Sequence, residues 1–342
     1  MKKTFSILVI LLIIIGIATA VVLFLPATRF SSEEKYLYVR DRHTAREEIR
    51  QQIDTGKIIR YAGVFDFLAG KANVWERIKD GRFEVKKGTS LYNLVRELRN
   101  NRQSPVRFTI NKIRTEEDLA KLVGRKFSTD SATAIRFLSD SDSLAKLEVD
   151  SNTWMTLIIP DTYLLNWNLP MENILERFKR ESLKFWEEDN RLQKAASMGF
   201  TPKQIYIIAS IVEEETNKND EKGNIASVYI NRLDKGMPLG ADPTIKFALK
   251  DFGLKRILYG HLRTVSPYNT YVNKGLPPGP ICTPSPQTID AVLNAPKTDY
   301  LFFVASSDFN GYHHFSNNYA EHQQYAKMYQ RKLDSLILNR NK

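Results

Sequence analysis

The chain has 342 residues, of which 42% are hydrophobic and 26% are charged, and its formal net charge is +11. This composition excludes a mostly disordered chain and a polytopic membrane protein, and the length predicts about two domains. A single cysteine, Cys282, excludes an intramolecular disulfide and every zinc cluster built from several cysteines.

The chain begins with an uncharged apolar segment, residues 5–25, which follows Lys2 and Lys3. About 20 apolar residues cross the hydrocarbon core of a bilayer as a helix, and lysines before such a helix favour a cytoplasmic N-terminus. We therefore predict a cytoplasmic N-terminus and transmembrane anchor over residues 1–29, with membrane contact through residues 4–28. The rest of the chain then lies outside the cytoplasm.

An alternative for this segment is a cleaved signal peptide, because Ala18-Thr19-Ala20 has the small-x-small form of a cleavage site. Both interpretations export the body of the protein. Residues 1–29 hold three basic residues and no acid, so residues 30–342 carry +8 of the total charge. That charge suits an anionic polymer or lipid surface, or serves solubility alone. Nucleic acid suits the charge but not the compartment, and we predict no nucleic-acid partner.

Residues 30–105 have the pattern of a small α+β module. Residues 36–39 read as a strand, and residues 44–55 read as a helix that Gly56 closes. A second strand follows Gly81, and a helix over residues 91–99 begins at a Ser or Thr cap and carries leucines and a valine on one face.

Residues 106–342 predict a larger mixed α+β domain. A capping box begins a helix at Thr115, and residues 171–189 form a long amphipathic pattern. Residues 300–305 and 312–315 predict a β-hairpin. Thr201-Pro202 is a helix start, with Thr as the cap and Pro at the first helical position.

Three adjacent glutamates end the helix that begins at Pro202, and a rotation of about 100° per residue separates their directions. Glu215 continues the apolar stripe through Ile208, whereas Glu213 falls on the polar back with Tyr206 and Glu214 on the edge. Burial of a lone carboxylate raises its pKa and favours the protonated form that a general acid requires. Glu215 is therefore a candidate acid, and the alternative is a frayed helix end with all three glutamates in solvent.

Turn-rich loops after the next helix carry aromatic, amide and hydroxyl groups, which suit recognition of sugars. The alternative is that these Pro-rich loops only close the fold. Adjacent His313 and His314 point to opposite faces of a strand, and no HExxH-type spacing completes a metal site. We predict no metal and no cofactor.

Several motifs in this order resemble the MltG (YceG-like) family of membrane-anchored endolytic murein transglycosylases. The resemblance covers most of residues 31–335 and the anchor. The motifs that carry it are Ile159-Pro160-Asp161-Thr162-Tyr163, Ala209-Ser210-Ile211-Val212-Glu213-Glu214-Glu215-Thr216, Ala226-Ser227-Val228-Tyr229-Ile230-Asn231-Arg232-Leu233, Asp242-Pro243-Thr244, Tyr268-Asn269-Thr270-Tyr271, Gly275-Leu276-Pro277-Pro278-Gly279 and residues 313–318.

The resemblance implies that Glu215 is the catalytic acid, as the last glutamate of a Glu-x-Glu-Thr motif, and that residues 30–105 are LysM-like. It also implies a single-pass protein of the bacterial inner membrane whose catalytic domain, residues 106–342, is periplasmic. Glu214 departs from relatives that carry Lys there, and we expect this extra negative neighbour to raise the pKa of Glu215. The implied substrate-binding residues are Asp161, Ser210, Asn231, Asp242, Tyr268, Asn269, Thr270, His313 and Asn318.

The implied reaction is cleavage of the MurNAc-β-1,4-GlcNAc bond in nascent peptidoglycan strands, with formation of 1,6-anhydroMurNAc ends by a single carboxylate, Glu215. The implied role of this reaction is to end glycan elongation. Peptidoglycan synthases are candidate partners. A non-catalytic glycan-binding scaffold of the wall-synthesis machinery and a hydrolytic glycosidase with two carboxylates are the alternatives.

Overall fold

The computed structural model describes the backbone of residues 2–340 and the side chains of residues 4–336. Helices and strands are mixed, as predicted, and the chain forms two compact units. Unit 1 comprises Met1–Phe108, Lys126–Thr129 and Tyr163–Pro170, and unit 2 comprises Thr109–Arg125, Asp130–Thr162 and Met171–Lys342.

Unit 1 contains the apolar N-terminal helix and a two-stranded antiparallel sheet surrounded by helices. The strands β1 (Glu34–Val39) and β2 (Gly81–Lys86) pair in a register that sets Leu37 opposite Phe83 and Val39 opposite Gly81. Its elements are α1 (Lys2–Phe24), β1 (Glu34–Val39), α2 (Ala45–Gly56), α3 (Ala62–Lys71), α4 (Val74–Arg77), β2 (Gly81–Lys86) and α5 (Leu91–Arg99).

The helix α1 meets the length and hydropathy of a membrane span over Thr4–Phe24, and none of its most apolar window is buried within the protein. Its 21 residues extend about 32 Å at the rise of an α-helix, which matches the hydrocarbon core of a bilayer. The predicted helix is therefore present, with the length that an anchor needs.

The core of unit 1 follows from the predicted patterns. Ser90 caps α5 by accepting a hydrogen bond from the Asn93 N–H at 3.3 Å, and α5 buries its leucines and valine against the sheet side of the unit. The end of α2 differs from expectation, because Lys57 and not Gly56 takes the left-handed conformation, with φ of 46°.

Unit 2 is mainly helical, with an antiparallel hairpin of β5 (Phe302–Ala305) and β6 (His313–Ser316) that confirms the predicted pairing of residues 300–305 with 312–315. The strands β3 (Val106–Thr109) and β4 (Thr162–Leu165) pair with each other and lie mostly in unit 1. The remaining elements are α6 (Glu116–Lys126), α7 (Ser131–Ser139), α8 (Ser141–Lys146), α9 (Met171–Glu187), α10 (Arg191–Ser197), α11 (Pro202–Glu215), α12 (Lys222–Asp234), α13 (Asp242–Ala248), α14 (Pro286–Leu293), β5 (Phe302–Ala305), β6 (His313–Ser316) and α15 (Tyr319–Arg340).

The main core of unit 2 forms around α11, which packs against α10, α12, α13 and α14. Burial of so many Ile, Val and Ala side chains contributes most of the stabilisation of this unit, at about 25 cal/mol per Å² of apolar surface. The packing of α11 therefore fixes the backbone of its last turn, which carries the three glutamates.

Candidate active site

The local sequence begins α11 and then buries it. The side chain of Thr201 accepts from the Gln204 N–H at 3.3 Å, and the Gln204 side chain accepts from the Thr201 N–H at 2.8 Å, which completes a capping box. Residues 205–212 are all buried, so this helix is enclosed on every side. The prediction that Tyr206 lies on a polar back is wrong, because its buried OH donates to the Ile158 carbonyl at 2.6 Å.

Glu215 is the last residue of α11 and is half-buried. Its Oε1 atom accepts a hydrogen bond from the OH group of Tyr229, which comes from α12. Tyr229 is itself buried, and its ring packs edge-on against Phe303 with centroids 5.9 Å apart. The neighbouring helix therefore fixes the position of this carboxyl group.

The surroundings of Glu215 favour its protonated form. Burial raises the pKa of Glu215 to about 7, and the Asp242 carboxylate acts in the same direction. The Tyr229 hydrogen bond and the positive charges of Lys246 and Arg232 act against this shift without cancelling it. Among the described side chains Glu215 forms no ion pair, so it is suited to donate a proton near neutral pH.

Glu213 turns to the opposite side and belongs to a buried polar cluster. Its Oε2 atom accepts from Lys222 Nζ at 3.1 Å, from Ser285 Oγ at 3.0 Å and from Thr288 Oγ1. Burial by itself raises the pKa of Glu213, but the Thr288 hydrogen bond and the charges of Lys222 and Lys112 outweigh it and lower the pKa overall. Glu213 is therefore an ionised residue that joins α11 to α12 and α14.

Glu214 is held by two cations. Arg114 NH2 lies 2.9 Å from Oε1 and 3.0 Å from Oε2, and Lys112 Nζ lies 3.0 Å from Oε1. Burial raises the pKa of Glu214, yet these hydrogen bonds and charges lower it overall. The expectation that Glu214 raises the pKa of Glu215 is corrected, because its charge is balanced and the carboxylate that acts on Glu215 is Asp242.

A pocket of about 470 Å³ opens at the end of α11 and reaches Glu215. His313, from β6, lines this pocket, and its Nδ1 atom lies 3.2 Å from Oε2 of the buried Glu221. The backbone N–H of His313 donates to the other Glu221 oxygen at 2.6 Å. His314 instead stacks on Tyr325 with centroids 4.5 Å apart, so His313 is the histidine that faces the pocket.

The loop over residues 266–273 positions a second carboxylate near Glu215. Thr270 Oγ1 accepts from the Ala241 N–H at 3.0 Å, and the Asn269 side chain accepts from the Tyr271 N–H at 3.0 Å. Tyr271 then donates its OH to Asp242 Oδ1 at 2.6 Å. Asn269 and Thr270 are buried and hydrogen-bonded within the protein, so they hold the loop in place. Neither side chain has exposed surface for the predicted contact with substrate.

Ser210 also differs from its predicted role in substrate binding. It is fully buried in α11, where its Oγ donates to the Ile207 carbonyl at 2.7 Å and accepts from the Ile281 N–H at 3.1 Å. Asn231 uses its amide to hold the Thr298 and Tyr300 carbonyls, at 3.0 and 2.9 Å. Both side chains therefore support the walls of the site.

The other predicted substrate-binding residues lie apart from Glu215. Tyr268 lines a separate pocket of about 190 Å³ and donates its OH to Asn152 at 3.2 Å. Asn318 accepts from the Glu321 N–H at 2.9 Å and so caps the start of α15. Asp161 is exposed and accepts from the Thr162 N–H at 2.6 Å. Only Asp242 and His313 of the predicted set join Glu215.

Sequence reasoning missed four side chains of the site: Tyr229, Tyr271, Lys246 and Glu221. Two of them stand inside motifs that carry the family resemblance, but a motif does not say which atoms bond. Tyr229 and Lys246 act on Glu215, Tyr271 bonds to Asp242 and Glu221 bonds to His313, and only folding brings these residues together.

A half-buried carboxylic acid at a pocket, next to two ion-paired glutamates, is a candidate for acid–base chemistry. The YceG-like family matches residues 37–328, and the chain belongs to this family. The crystal structure of a putative YceG-like protein from Listeria monocytogenes has the same fold, with a TM-score of 0.57 and 23% identity, over 86% of this chain and 99% of that one.

Two curated relatives are each named endolytic murein transglycosylase. The one from Bacillus subtilis (strain 168) is 36% identical over 176 residues, which cover 50% of this chain and 47% of the relative. The one from Streptococcus pneumoniae (strain R6) is 28% identical over 308 residues, which cover 81% of this chain and 55% of the relative. This chain thus spans about half the length of the curated relatives it matches.

Proposed function

We propose that this protein is a membrane-anchored endolytic lytic transglycosylase that cleaves the MurNAc-β-1,4-GlcNAc bond of peptidoglycan strands. The observation that carries the proposal is the Glu215 carboxyl group, with a pKa of about 7, at a pocket of about 470 Å³. Glu213 and Glu214 hold cations and are ionised, so one acid of the three is available to donate a proton.

In the proposed reaction Glu215 gives its proton to the glycosidic oxygen as the bond from the muramyl C1 breaks. The resulting carboxylate then takes the proton of the muramyl C6 hydroxyl, whose oxygen bonds to C1 and closes the 1,6-anhydro ring. No water is consumed, and the carboxyl group ends in its starting state. Tyr229 acts as a positioning residue, since its OH donates a hydrogen bond to Glu215.

The same proposal gives the parts of the chain their roles. Residues 1–29 form the cytoplasmic N-terminus and inner-membrane anchor, residues 30–105 a LysM-like module, and residues 106–342 the periplasmic catalytic domain. The apolar α1 supports the anchor, and a two-stranded sheet with intervening helices supports the small module. Nascent glycan strands are the proposed substrate, with peptidoglycan synthases as candidate partners.

Replacement of Glu215 by Gln tests the assignment. We expect the Glu215→Gln protein to release glycan fragments at a rate lower by at least about 100-fold, because general acid catalysis contributes 10²–10⁴-fold. Glu187→Gln is the matched control, since Glu187 is the exposed last residue of α9. Activity of Glu215→Gln equal to that of the control contradicts the assignment and favours the glycan-binding scaffold.

A hydrolytic glycosidase is the second candidate. The Asp242 carboxylate, whose charge raises the pKa of Glu215, favours it, because hydrolysis uses two carboxylates. Mass spectrometry of the products separates the two reactions. The transglycosylase leaves 1,6-anhydroMurNAc ends, whereas reducing MurNAc ends, heavier by one water, identify hydrolysis.

A further inference from the structure

The outer end of α1 enters unit 1 without a linker. The helix ends at Phe24, and Ala27 is already only 1% exposed in the core of the unit. The Ala27 N–H donates to the Thr89 carbonyl at 3.0 Å, and its own carbonyl accepts from the Arg60 N–H at 2.8 Å. Given the proposed anchor, the surface of unit 1 that surrounds α1 therefore lies at the membrane surface.

A pocket of about 300 Å³ lies on this surface, between the last turn of α1, the end of α3 and one face of α5. Its apolar lining includes Leu23 and Leu68, and Tyr92 contributes an aromatic ring. Because Leu23 belongs to the last turn of the proposed membrane span, the pocket lies at the depth where hydrocarbon meets headgroups.

Three cations, Lys71, Arg96 and Arg99, line the same pocket. None of them forms an ion pair with any side chain that the structure describes. The acids on the two helices that carry these cations are engaged elsewhere: Asp66 on α3 pairs with Arg46, and Glu97 on α5 pairs with Arg102. The pocket therefore combines an apolar lining with uncompensated positive charge.

Exposed aromatic rings surround the pocket. Phe67 on α3 is 63% exposed, and Tyr92 on α5 is 48% exposed. The ring of Phe24, at the end of α1, packs on Tyr92 with centroids 5.3 Å apart. Tyr concentrates at membrane–water interfaces, where its ring meets hydrocarbon and its OH meets water, and the exposed Phe rings add apolar surface beside it.

We propose that this pocket binds the headgroup of an anionic phospholipid from the membrane leaflet next to unit 1. The phosphate lies among Lys71, Arg96 and Arg99, whose guanidinium and ammonium groups bind phosphate oxygens. The glycerol and first acyl carbons contact the apolar lining at Leu23 and Leu68. A bound lipid then joins α1 to α3 and α5 and limits rotation of unit 1 on the membrane.

Native mass spectrometry of the full-length protein in a neutral detergent tests this proposal. The probes are dioctanoyl phosphatidylglycerol, dioctanoyl phosphatidylcholine with the same chains, and inorganic phosphate. The pocket variant carries Lys71→Gln, Arg96→Gln and Arg99→Gln, all at exposed positions. The control variant carries Arg40→Gln, Lys79→Gln and Arg107→Gln, which remove equal charge from exposed positions that do not line the pocket.

We expect the wild type and the control to retain phosphatidylglycerol at least about tenfold more tightly than phosphatidylcholine. The pocket variant loses at least about tenfold in affinity for phosphatidylglycerol, since each cation near an anionic surface contributes about fivefold. Equal binding of both lipids, or equal loss in the pocket and control variants, overturns the proposal. Retention of inorganic phosphate in place of the lipid also overturns it and assigns the pocket to a free anion.

The outcome does not depend on glycan cleavage. The intact mass in the same spectrum shows whether residues 1–29 are present, so loss of the segment by signal-peptide cleavage is distinguished from failure of lipid binding. A chain that retains α1 and shows no preference for the anionic lipid contradicts this inference alone.

Discussion

At the residue scale, three adjacent carboxyl groups have different surroundings. Glu213 faces Lys222, Glu214 faces Arg114 and Lys112, and Glu215 faces the OH group of Tyr229. Ion pairs outweigh the effect of burial on Glu213 and Glu214 and keep both ionised. Glu215 has no ion pair among the described side chains, and burial raises its pKa. Within one turn of α11, two carboxylates therefore have structural roles and the third is a candidate acid.

The pH dependence of activity follows from the Tyr229 contact. Since the acid must be protonated in the free enzyme, we expect kcat/KM to fall as the pH rises through about 7. The Tyr229 hydrogen bond stabilises the carboxylate and lowers the pKa of Glu215, so Tyr229→Phe moves this alkaline limb to higher pH. A pH profile of both proteins checks the shift, and a limb that stays in place or moves to lower pH contradicts it.

The raised pKa of Glu215 also predicts a pH-dependent stability. The folded protein retains a proton that the unfolded chain loses above about pH 4.5, so this group reduces stability progressively as the pH rises from about 4.5 to about 7. Glu215→Gln cannot ionise, and we expect its melting temperature to exceed that of the wild type by more at pH 8 than at pH 4.5. Thermal unfolding in neutral detergent at both pH values measures the difference, and a constant difference argues against a raised pKa.

At the element scale, the site depends on how α12, α13 and the loop over residues 266–273 meet the end of α11. Arg232 from α12 donates to the Leu239 carbonyl at 2.5 Å and to the Leu301 carbonyl at 2.7 Å. These bonds connect α12 to the segment before α13 and to the residue that precedes β5. The site thus lies where α11, α12 and α13 meet the hairpin of β5 and β6.

Gly240 is required at this convergence. Its φ of +57° is the left-handed conformation, and an added Cβ atom would lie 3.4 Å from Arg232 NH1. We expect Gly240→Ala to lower the free energy of unfolding by about 1–2 kcal/mol and to reduce activity by displacing Asp242. Gly70→Ala in α3 is the control, since nothing lies within 4 Å of its Cβ position and Ala favours a helix by up to about 1 kcal/mol. Equal effects of the two changes would falsify the argument.

Elements with strong local signals were predictable from sequence. The apolar run of α1, the Ser90 cap of α5 and the capping box of α11 are each present where the pattern places them. The surroundings of α11 were not predictable from its own period, because segments from before and after it in the chain enclose it on every side. Tyr206 was misplaced for this reason.

At the scale of the whole molecule, the end of the anchor is part of unit 1. The predicted boundary after residue 29 assigns Ala27 and Thr28 to the anchor, but these residues form isolated bridges and backbone hydrogen bonds within the unit. The core of unit 1 includes Ala27, and Val22 from the last turns of α1 packs against it. The membrane helix and the first unit are therefore connected as one folded body.

Truncation tests this connection. A chain that begins at Leu25 keeps the Ala27 and Thr28 contacts, whereas a chain that begins at Phe30 loses three backbone hydrogen bonds and the buried Ala27. We expect the shorter chain to melt at least about 5 °C lower, because about 1 kcal/mol moves the melting temperature by several degrees. Differential scanning calorimetry of both chains measures this, and equal melting temperatures would show that residues 25–29 add nothing to the unit.

The sequence by itself determined the apolar helix, the class of fold, the family resemblance and Glu215 as the candidate acid, because each depends on local period or on ordered motifs. Only the tertiary structure decided which glutamates form ion pairs and that Asp242 rather than Glu214 acts on Glu215. It also decided that Ser210, Asn269 and Thr270 are buried and support the site. The physical reason is that charge, burial and hydrogen bonding depend on neighbours far away in the chain. A helical period gives the direction of a side chain, and the partners that meet it are set by the packing of the whole unit.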